Sequence, residues 1–383
     1  MARVLYNCVA LLADGNDYSL KKCSIVSENG YIVGVFDNVP DDNYSRVINL
    51  SKEIIIPPFF NMHCHLGENM FQRLNGNNWS INKYLEYTSK YNESLSLEEQ
   101  ETVWHESAVA TLKNLEVNGI IGICAGRSAE VAEIFDFNNM SGYPIMNGRK
   151  LEKFKDAGVK GFREYLQRYR SRKCSVGVLL HSLYENDRES IKLARACLEV
   201  GAEFFSVHVA EDENTALQEK NFFGESAVTI LDKFGLLTDR TILVHCGFVS
   251  LRDWEKIAKS GASVAVCPIS NKFLNTRMPN LHLLDTYGIP WFLTTDGLGT
   301  GKTFSLFEQA KCLKENFPDI SYSKIFRSFT ALPAALFNRD HYSGNISVGT
   351  KAEFLALPLH SLDEKNFFRL LFDKSNNLSK IIL

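Results

Sequence analysis

Ile54-Ile55-Ile56-Pro57-Pro58-Phe59-Phe60-Asn61-Met62-His63-Cys64-His65 is the stretch on which the reading of this 383-residue chain turns. A strand-like apolar run ends in two histidines separated by one residue. Side chains alternate along a strand, so His63 and His65 face one way and Cys64 the other. Two imidazoles at that spacing form half of a site for zinc or a similar borderline metal. Four later segments repeat the design: Phe204-Phe205-Ser206-Val207-His208, Thr241-Ile242-Leu243-Val244-His245, Ser263-Val264-Ala265-Val266-Cys267-Pro268 and Pro290-Trp291-Phe292-Leu293-Thr294-Thr295-Asp296. Each is a short apolar run that stops at a polar residue able to do chemistry.

Outward from these runs, strand and helix alternate. Candidate strands are Ile54–Ile56, Ile120–Ile123, Tyr143–Met146, Ser175–His181, Phe204–His208, Thr241–His245, Ser263–Cys267 and Trp291–Thr295. Helical stretches such as Leu97–Val117, Arg188–Val200, Ala227–Phe234, Leu251–Lys259 and Phe304–Glu315 lie between them. The third strand has the weakest pattern, being short and interrupted by Pro144. Eight strand–helix units over roughly 250 residues predict an α/β fold, a (β/α)8 TIM barrel. Before it, Val4–Leu12, Lys22–Ser27 and Tyr31–Phe36 read as strands separated by Asp14-Gly15 and Asn29-Gly30 turns. Ala352–Leu357 and Lys380–Leu383 are strand-like again. Both chain ends are therefore expected to form a small β-sandwich domain, with boundaries at 1–53, 54–343 and 344–383. Barrel active sites form at the C-terminal strand ends. Five of the nine histidines, His63, His65, His181, His208 and His245, fall at such ends together with Asp296.

A hydrophobic content of 45% and a charged content of 23% are those of a soluble globular protein. The net charge of −3 gives no general reason to expect nucleic acid or an acidic membrane as partner. Nine cysteines without C-x-x-C pairing suit a reducing compartment. No apolar stretch reaches membrane-spanning length, and Met1 to Asp17 reads as strand and turn rather than signal peptide. The expectation is a cytoplasmic enzyme acting on a small molecule, assembled as a homodimer.

Three neutral imidazoles and a carboxylate can hold one divalent ion while leaving a position for water, whose pKa then falls toward neutrality. In His208-Val209-Ala210-Glu211 a carboxylate follows just past a strand end, where it suits a proton shuttle. His245 would hydrogen-bond the attacking oxygen or the developing tetrahedral centre.

The ordered series His63-Cys64-His65, His208-Val209-Ala210-Glu211, His245, Cys267-Pro268-Ile269-Ser270-Asn271 and Thr295-Asp296-Gly297 resembles the motifs of the amidohydrolase superfamily. Within it the series is similar to the chlorohydrolase/deaminase branch, which includes S-adenosylhomocysteine/methylthioadenosine, aminodeoxyfutalosine, guanine and cytosine deaminases. The resemblance runs from about Ile54 to Phe354. It implies His63, His65, His208 and Asp296 as ligands of one divalent ion, zinc with iron or manganese as alternatives. It further implies Glu211, His245 and Asp296 as the catalytic groups. His181 and Tyr184 resemble the substrate-contacting segment of nucleoside deaminases, and Ser270 and Asn271 join them as expected substrate contacts. Arg73 and Glu68, in the loop after His65, are further candidates. Two departures accompany the resemblance: the β-segment ending at Leu383 is short for the branch, and Gly126 to Lys173 is compressed.

Other features read differently. Gly297-Leu298-Gly299-Thr300-Gly301-Lys302-Thr303 looks like a phosphate loop, but the Walker pattern needs four residues between its glycines and this stretch has three. Lys160 lies in helical context and is expected at the surface. Arg149 to Lys173 holds ten basic and three acidic residues, the pattern of a solvated helix face or a subunit contact. The function expected is hydrolytic deamination of an aminated heterocycle, an adenosine derivative first. The alternatives are hydrolysis of another C–N or C–halogen bond, as in an amide, imide or chlorotriazine, and an inactive binding scaffold.

Overall fold

Pro57 and Pro58 cut the opening run in two, because proline cannot donate to a β-ladder. The computed structural model describes residues 3–15, 17–74, 79–132, 138–146, 152–171, 173–336, 343–358, 367–373 and 379–382. Strands β1 (Arg3–Asp14), β2 (Asp17–Glu28), β3 (Tyr31–Phe36) and β4 (Arg46–Ile56) precede the prolines. After them come β5 (Phe59–Asn61), β6 (Ile120–Gly126), β7 (Asn138–Ile145), β8 (Cys174–Ser182), β9 (Phe205–Val209), β10 (Thr241–His245), β11 (Ser263–Val266) and β12 (Trp291–Leu293). Two more, β13 (Glu353–Pro358) and β14 (Ser379–Ile382), lie near the C-terminus. The expected first barrel strand, Ile54–Ile56, is thus corrected. It ends β4 in the chain-end sheet, and β5 beyond the prolines opens the barrel.

The described residues pack as two units, one of Met1–Phe60, Leu115–Ile121 and Ser305–Leu383, the other of Asn61–Asn114 and Gly122–Phe304. In the first, the chain-end strands form one six-stranded sheet in the order β14-β13-β4-β1-β2-β3. Tyr6, Cys23, Ile25, Ile55 and Phe354 make its core, with Tyr6 edge-on to Phe354 at 5.4 Å. Fully buried Phe59 meets Phe307 and Phe329 edge-on at 5.3 and 5.1 Å. All nine cysteines are buried free thiols.

Strands β5 to β12 follow one another in sequence order around an eight-stranded sheet, with parallel neighbours joined through helices such as Leu97–Val117, Arg188–Glu199 and Leu251–Ser260. This is the nearly closed, TIM-like barrel expected. Its seam is held by Asn61, whose amide donates to Thr295 Oγ1 at 2.7 Å and accepts the Thr295 N–H at 3.3 Å. The Asp296 N–H adds a 3.2 Å bond to the His63 carbonyl. Strand β7 is longer than Tyr143–Met146 because its polar residues are buried and bonded. Ser141 Oγ lies 2.7 Å from the Tyr165 hydroxyl, and Asn139 Oδ1 accepts from Cys174 Sγ at 3.0 Å. Among the described residues no helix is long and apolar enough to cross a membrane.

Candidate active site

The chain leaves β5 extended through Met62-His63-Cys64-His65, and the predicted alternation holds. Cys64 turns toward β6, where its N–H bonds the Cys124 carbonyl at 3.2 Å. His63 and His65 turn the other way and both approach Asp296 Oδ1, at 3.4 and 3.0 Å. His208, in β9, donates from Nδ1 to the His181 carbonyl at 2.6 Å. That bond fixes the tautomer and leaves Nε2 as a lone-pair donor, 3.1 Å from His63 Nε2. Asp296 is aimed in the same manner: Oδ2 accepts from Ser270 Oγ at 2.6 Å and Thr300 Oγ1 at 2.8 Å, leaving Oδ1 for the histidines.

One ligand atom from each of His63, His65, His208 and Asp296 lies within 4.8 Å of the others. His63 Nδ1 and both nitrogens of His245 are buried without a hydrogen-bond partner. Convergent lone pairs on three imidazoles and one carboxylate, in an apolar setting, fit a single divalent ion. Charge agrees. Burial lowers His63 to about 4 and His208 well below the usual imidazole range, so both are neutral, the ligating form. Burial would lower His65 as well, but the carboxylates of Glu68 and Asp296 outweigh it and raise His65 to about 9. Burial likewise works to raise Asp296, and its bonds from His63 and His65 overcome that and hold it well below the carboxylate range. A positive charge is wanted at this point.

Glu211 and His245 stand beside the cluster. Glu211 Oε1 is 3.3 Å from His245 Nε2. Burial, and then the negative charge of Asp296, push the Glu211 carboxyl well above its ordinary range. Several residues here sit in the left-handed region: Ala210 at φ +45°, His245 at +69°, Cys246 at +57° and Asp296 at +62°. Such conformations cost about 1–3 kcal/mol each and persist only where surrounding contacts over-determine them.

A cavity of about 230 Å³ opens beside the cluster, lined by His65, Glu68, Phe71, Tyr84, Trp104, Arg127, Leu179 and His181 among others. His181, from the end of β8, lies 2.5 Å by Nδ1 from Glu185 Oε2. Glu68 Oε2 accepts from the Tyr84 hydroxyl at 2.9 Å. Arg127 stacks 3.9 Å over Trp104 and is bound by Glu101 and Glu130. Of the expected substrate contacts, His181 lines this cavity. Ser270 instead bonds Asp296, and Asn271 Nδ2 reaches the Arg277 carbonyl at 3.3 Å. The Tyr184 hydroxyl is buried without a partner, and Arg73 is exposed. Glu68 does enter the cavity, whereas Tyr84, Trp104 and Arg127 carried no local signal.

The stretch that mimics a phosphate loop has another task. Thr300 orients Asp296, and a Cβ at Gly297 would lie 2.0 Å from Glu68 Oε2, so glycine there makes room for the cavity carboxylate. The Lys302 ammonium is tied to the Leu74 carbonyl at 2.7 Å. Lys160 is at the surface, 89% exposed. In the basic segment, 149–151 and 172 lie outside the described residues. Lys153 pairs with Glu101 at 3.0 Å and Lys155 with Asp187 at 2.9 Å.

The sequence pattern of the Amidohydrolase family matches residues 54–377. The chain is 26% identical over 327 residues to 5-methylthioadenosine/S-adenosylhomocysteine deaminase 1 of Archaeoglobus fulgidus, which covers 82% of this chain and 76% of that protein. In fold it is similar to guanine deaminase of C. acetobutylicum with bound guanine, at a TM-score of 0.85, 17% identity and 99% and 98% coverage of the two chains. It is also similar to an adenosine deaminase of Xanthomonas campestris with bound zinc, at a TM-score of 0.83, 17% identity and 97% and 89% coverage.

Proposed function

We propose that this chain, which belongs to the amidohydrolase family and is a metal-dependent hydrolase of C–N bonds, deaminates an aminated heterocycle, an adenosine derivative in the first instance. The observation that carries the reading is the Glu211–His245 pair set against the four convergent ligands His63, His65, His208 and Asp296. Zinc is the ion proposed, from the preference of three imidazoles and a carboxylate. When bound, it supplies Lewis acidity and an activated water at neutral pH.

The remaining work belongs to the side chains. Glu211, with its raised carboxyl, takes a proton from the attacking water and delivers one to the ring nitrogen next to the amine-bearing carbon. His245 Nε2 stands where it can hydrogen-bond the oxygen being added. Water adds at that carbon, the C–N bond breaks, and ammonia leaves with the proton that Glu211 returns. Ser270 and Thr300 keep Asp296 fixed, while Glu68, Tyr84 and His181 present polar groups to the heterocycle in the cavity.

A free base of guanine type is the second reading. It is favoured by the cavity, which at about 230 Å³ falls below the 300–1,000 Å³ common for larger ligands. Ammonia release across purines, pyrimidines and their nucleosides, with metal content measured on the same sample, tests both. Adenosine analogues turned over fastest support the first reading, and guanine fastest supports the second. A zinc-loaded protein that deaminates none of them overturns both.

A further inference from the structure

The turn that carries Glu211 is held in place from outside. Val209-Ala210-Glu211 leaves β9 with Ala210 at φ +45°, a conformation a non-glycine residue keeps only under external constraint. Its backbone groups are bonded one after another by other parts of the chain. The Val209 carbonyl accepts the Cys246 N–H at 3.0 Å, and the Ala210 carbonyl accepts the Phe248 N–H at 3.1 Å. The Glu211 carbonyl accepts from Thr276 Oγ1 at 2.7 Å. The Ala210 N–H, at the strained residue itself, goes to the side-chain carboxyl of Glu219.

Glu219 is an unusual residue to find there. It lies on the helix Glu213–Phe223, is 1% exposed, and has one oxygen, Oε1, without a partner. Burial pushes its carboxyl up to about 8. A buried carboxyl with no cation beside it is costly, so packing alone does not account for it. Nor does the helix need it, because Asp212 caps the N-terminus by accepting the Thr215 N–H at 2.7 Å in a reciprocal capping box. Behind the turn is a second cavity, of about 500 Å³, lined by Ala210, Glu219, Ser226 and Phe248 among others. Close packing on that side is therefore not what fixes Ala210.

We propose that Glu219 is a positioning residue: its carboxyl, by accepting the Ala210 N–H, holds the left-handed turn that aims Glu211 at the reacting atoms. The proposal rests on the reading of Glu211 as proton shuttle. The Cys246 N–H that bonds Val209 directly follows His245, so the Glu211 and His245 turns are fastened to each other. Losing the Glu219 acceptor loosens one side of that pair.

Glu219→Gln keeps an acceptor of the same reach, while Glu219→Met keeps the volume and removes it. In the zinc-loaded full chain, Gln should retain the slow hydrogen exchange of the Ala210 amide and wild-type kcat for ammonia release from adenosine within about threefold. Met should keep its zinc and KM, speed Ala210 exchange at least tenfold, and lower kcat by about 10²-fold, the scale of a small misplacement of a catalytic group. Met with wild-type exchange and kcat, or Gln failing as Met does, overturns the proposal. If the Met variant does not fold, wild-type exchange decides: a rapidly exchanging Ala210 amide shows that Glu219 does not hold it. If wild type releases no ammonia from adenosine, the adenosine reading fails, and exchange with zinc content still judges Glu219.

Discussion

Ser270→Ala separates two roles that one side chain could hold, ligand support and substrate contact. In the structure Ser270 is fully buried and donates to Asp296 Oδ2 at 2.6 Å, leaving Thr300 at 2.8 Å as the other side-chain donor. A hydrogen bond to a charged group contributes about 1.5–3 kcal/mol. At about 1.4 kcal/mol per factor of ten, losing it lets the carboxylate swing away from its ligating pose and weakens metal binding about 10- to 100-fold. That is the range found for residues that orient metal ligands elsewhere. The assay is zinc retained by wild type and variant after dialysis against a graded chelator series. KM is then measured on fully loaded samples and should be unchanged. A variant that holds zinc as tightly as wild type but shows a raised KM would refute the reasoning and make Ser270 a substrate contact.

Glu211→Gln should keep zinc and the fold yet lose at least about 10²–10⁴ of turnover, since an amide cannot accept and return a proton; a metal-loaded, active Gln variant rejects the shuttle role. Phe59→Ala opens the cluster with Phe307 and Phe329 and should destabilise the protein by about 3–5 kcal/mol in urea unfolding. Asp187 caps the helix Arg188–Glu199 by accepting the Ser190 N–H at 2.8 Å, so Asp187→Ala should cost about 1 kcal/mol, seen as a lower Tm. Burial tends to raise Asp187, but the Ser190 and Lys155 bonds outweigh it and hold it at about 2. Its folded pKa lies below the unfolded value of about 3.9. The cap's contribution is therefore complete above that pH and is lost as pH falls through 2, and the Tm difference between wild type and Asp187→Ala should shrink accordingly.

What could be read in advance followed the physics that is local in sequence. His63 and His65 share a face because strand residues alternate, and His208, His245 and Asp296 each end a short apolar run. The strands Tyr31–Phe36 and Thr241–His245 and the helix Leu97–Val117 occur with the expected limits. Where polar residues are buried, hydropathy misleads: Asn138, Asn139 and Ser141 hid the first half of β7. Ile54–Ile56 went to the other sheet because two prolines intervene, a break that a count of apolar residues passes over. The cavity residues Tyr84, Trp104 and Arg127 come from a helix, a second helix and the end of β6, and only the folded chain brings them together. Ser270 stood in a recognisable motif, but its bond to Asp296 depends on a rotamer that no spacing reveals.

Seven of the interfaces around the barrel are backbone ladders. The eighth, between β12 and β5, is a side-chain seam made by Asn61 with Thr295 and one bond from Asp296 to His63. Backbone openings are cheapest where few bonds must break together, so the barrel's first breathing motion is a parting at this seam. His63 and His65 stand on one bank of it and Asp296 on the other. An ion shared by those residues acts as a rivet across the seam, and every opening there must compete with binding. Chemistry and mechanical closure are thus linked: a molecule starved of metal is both inactive and the one in which proteases and chaperones find an open barrel.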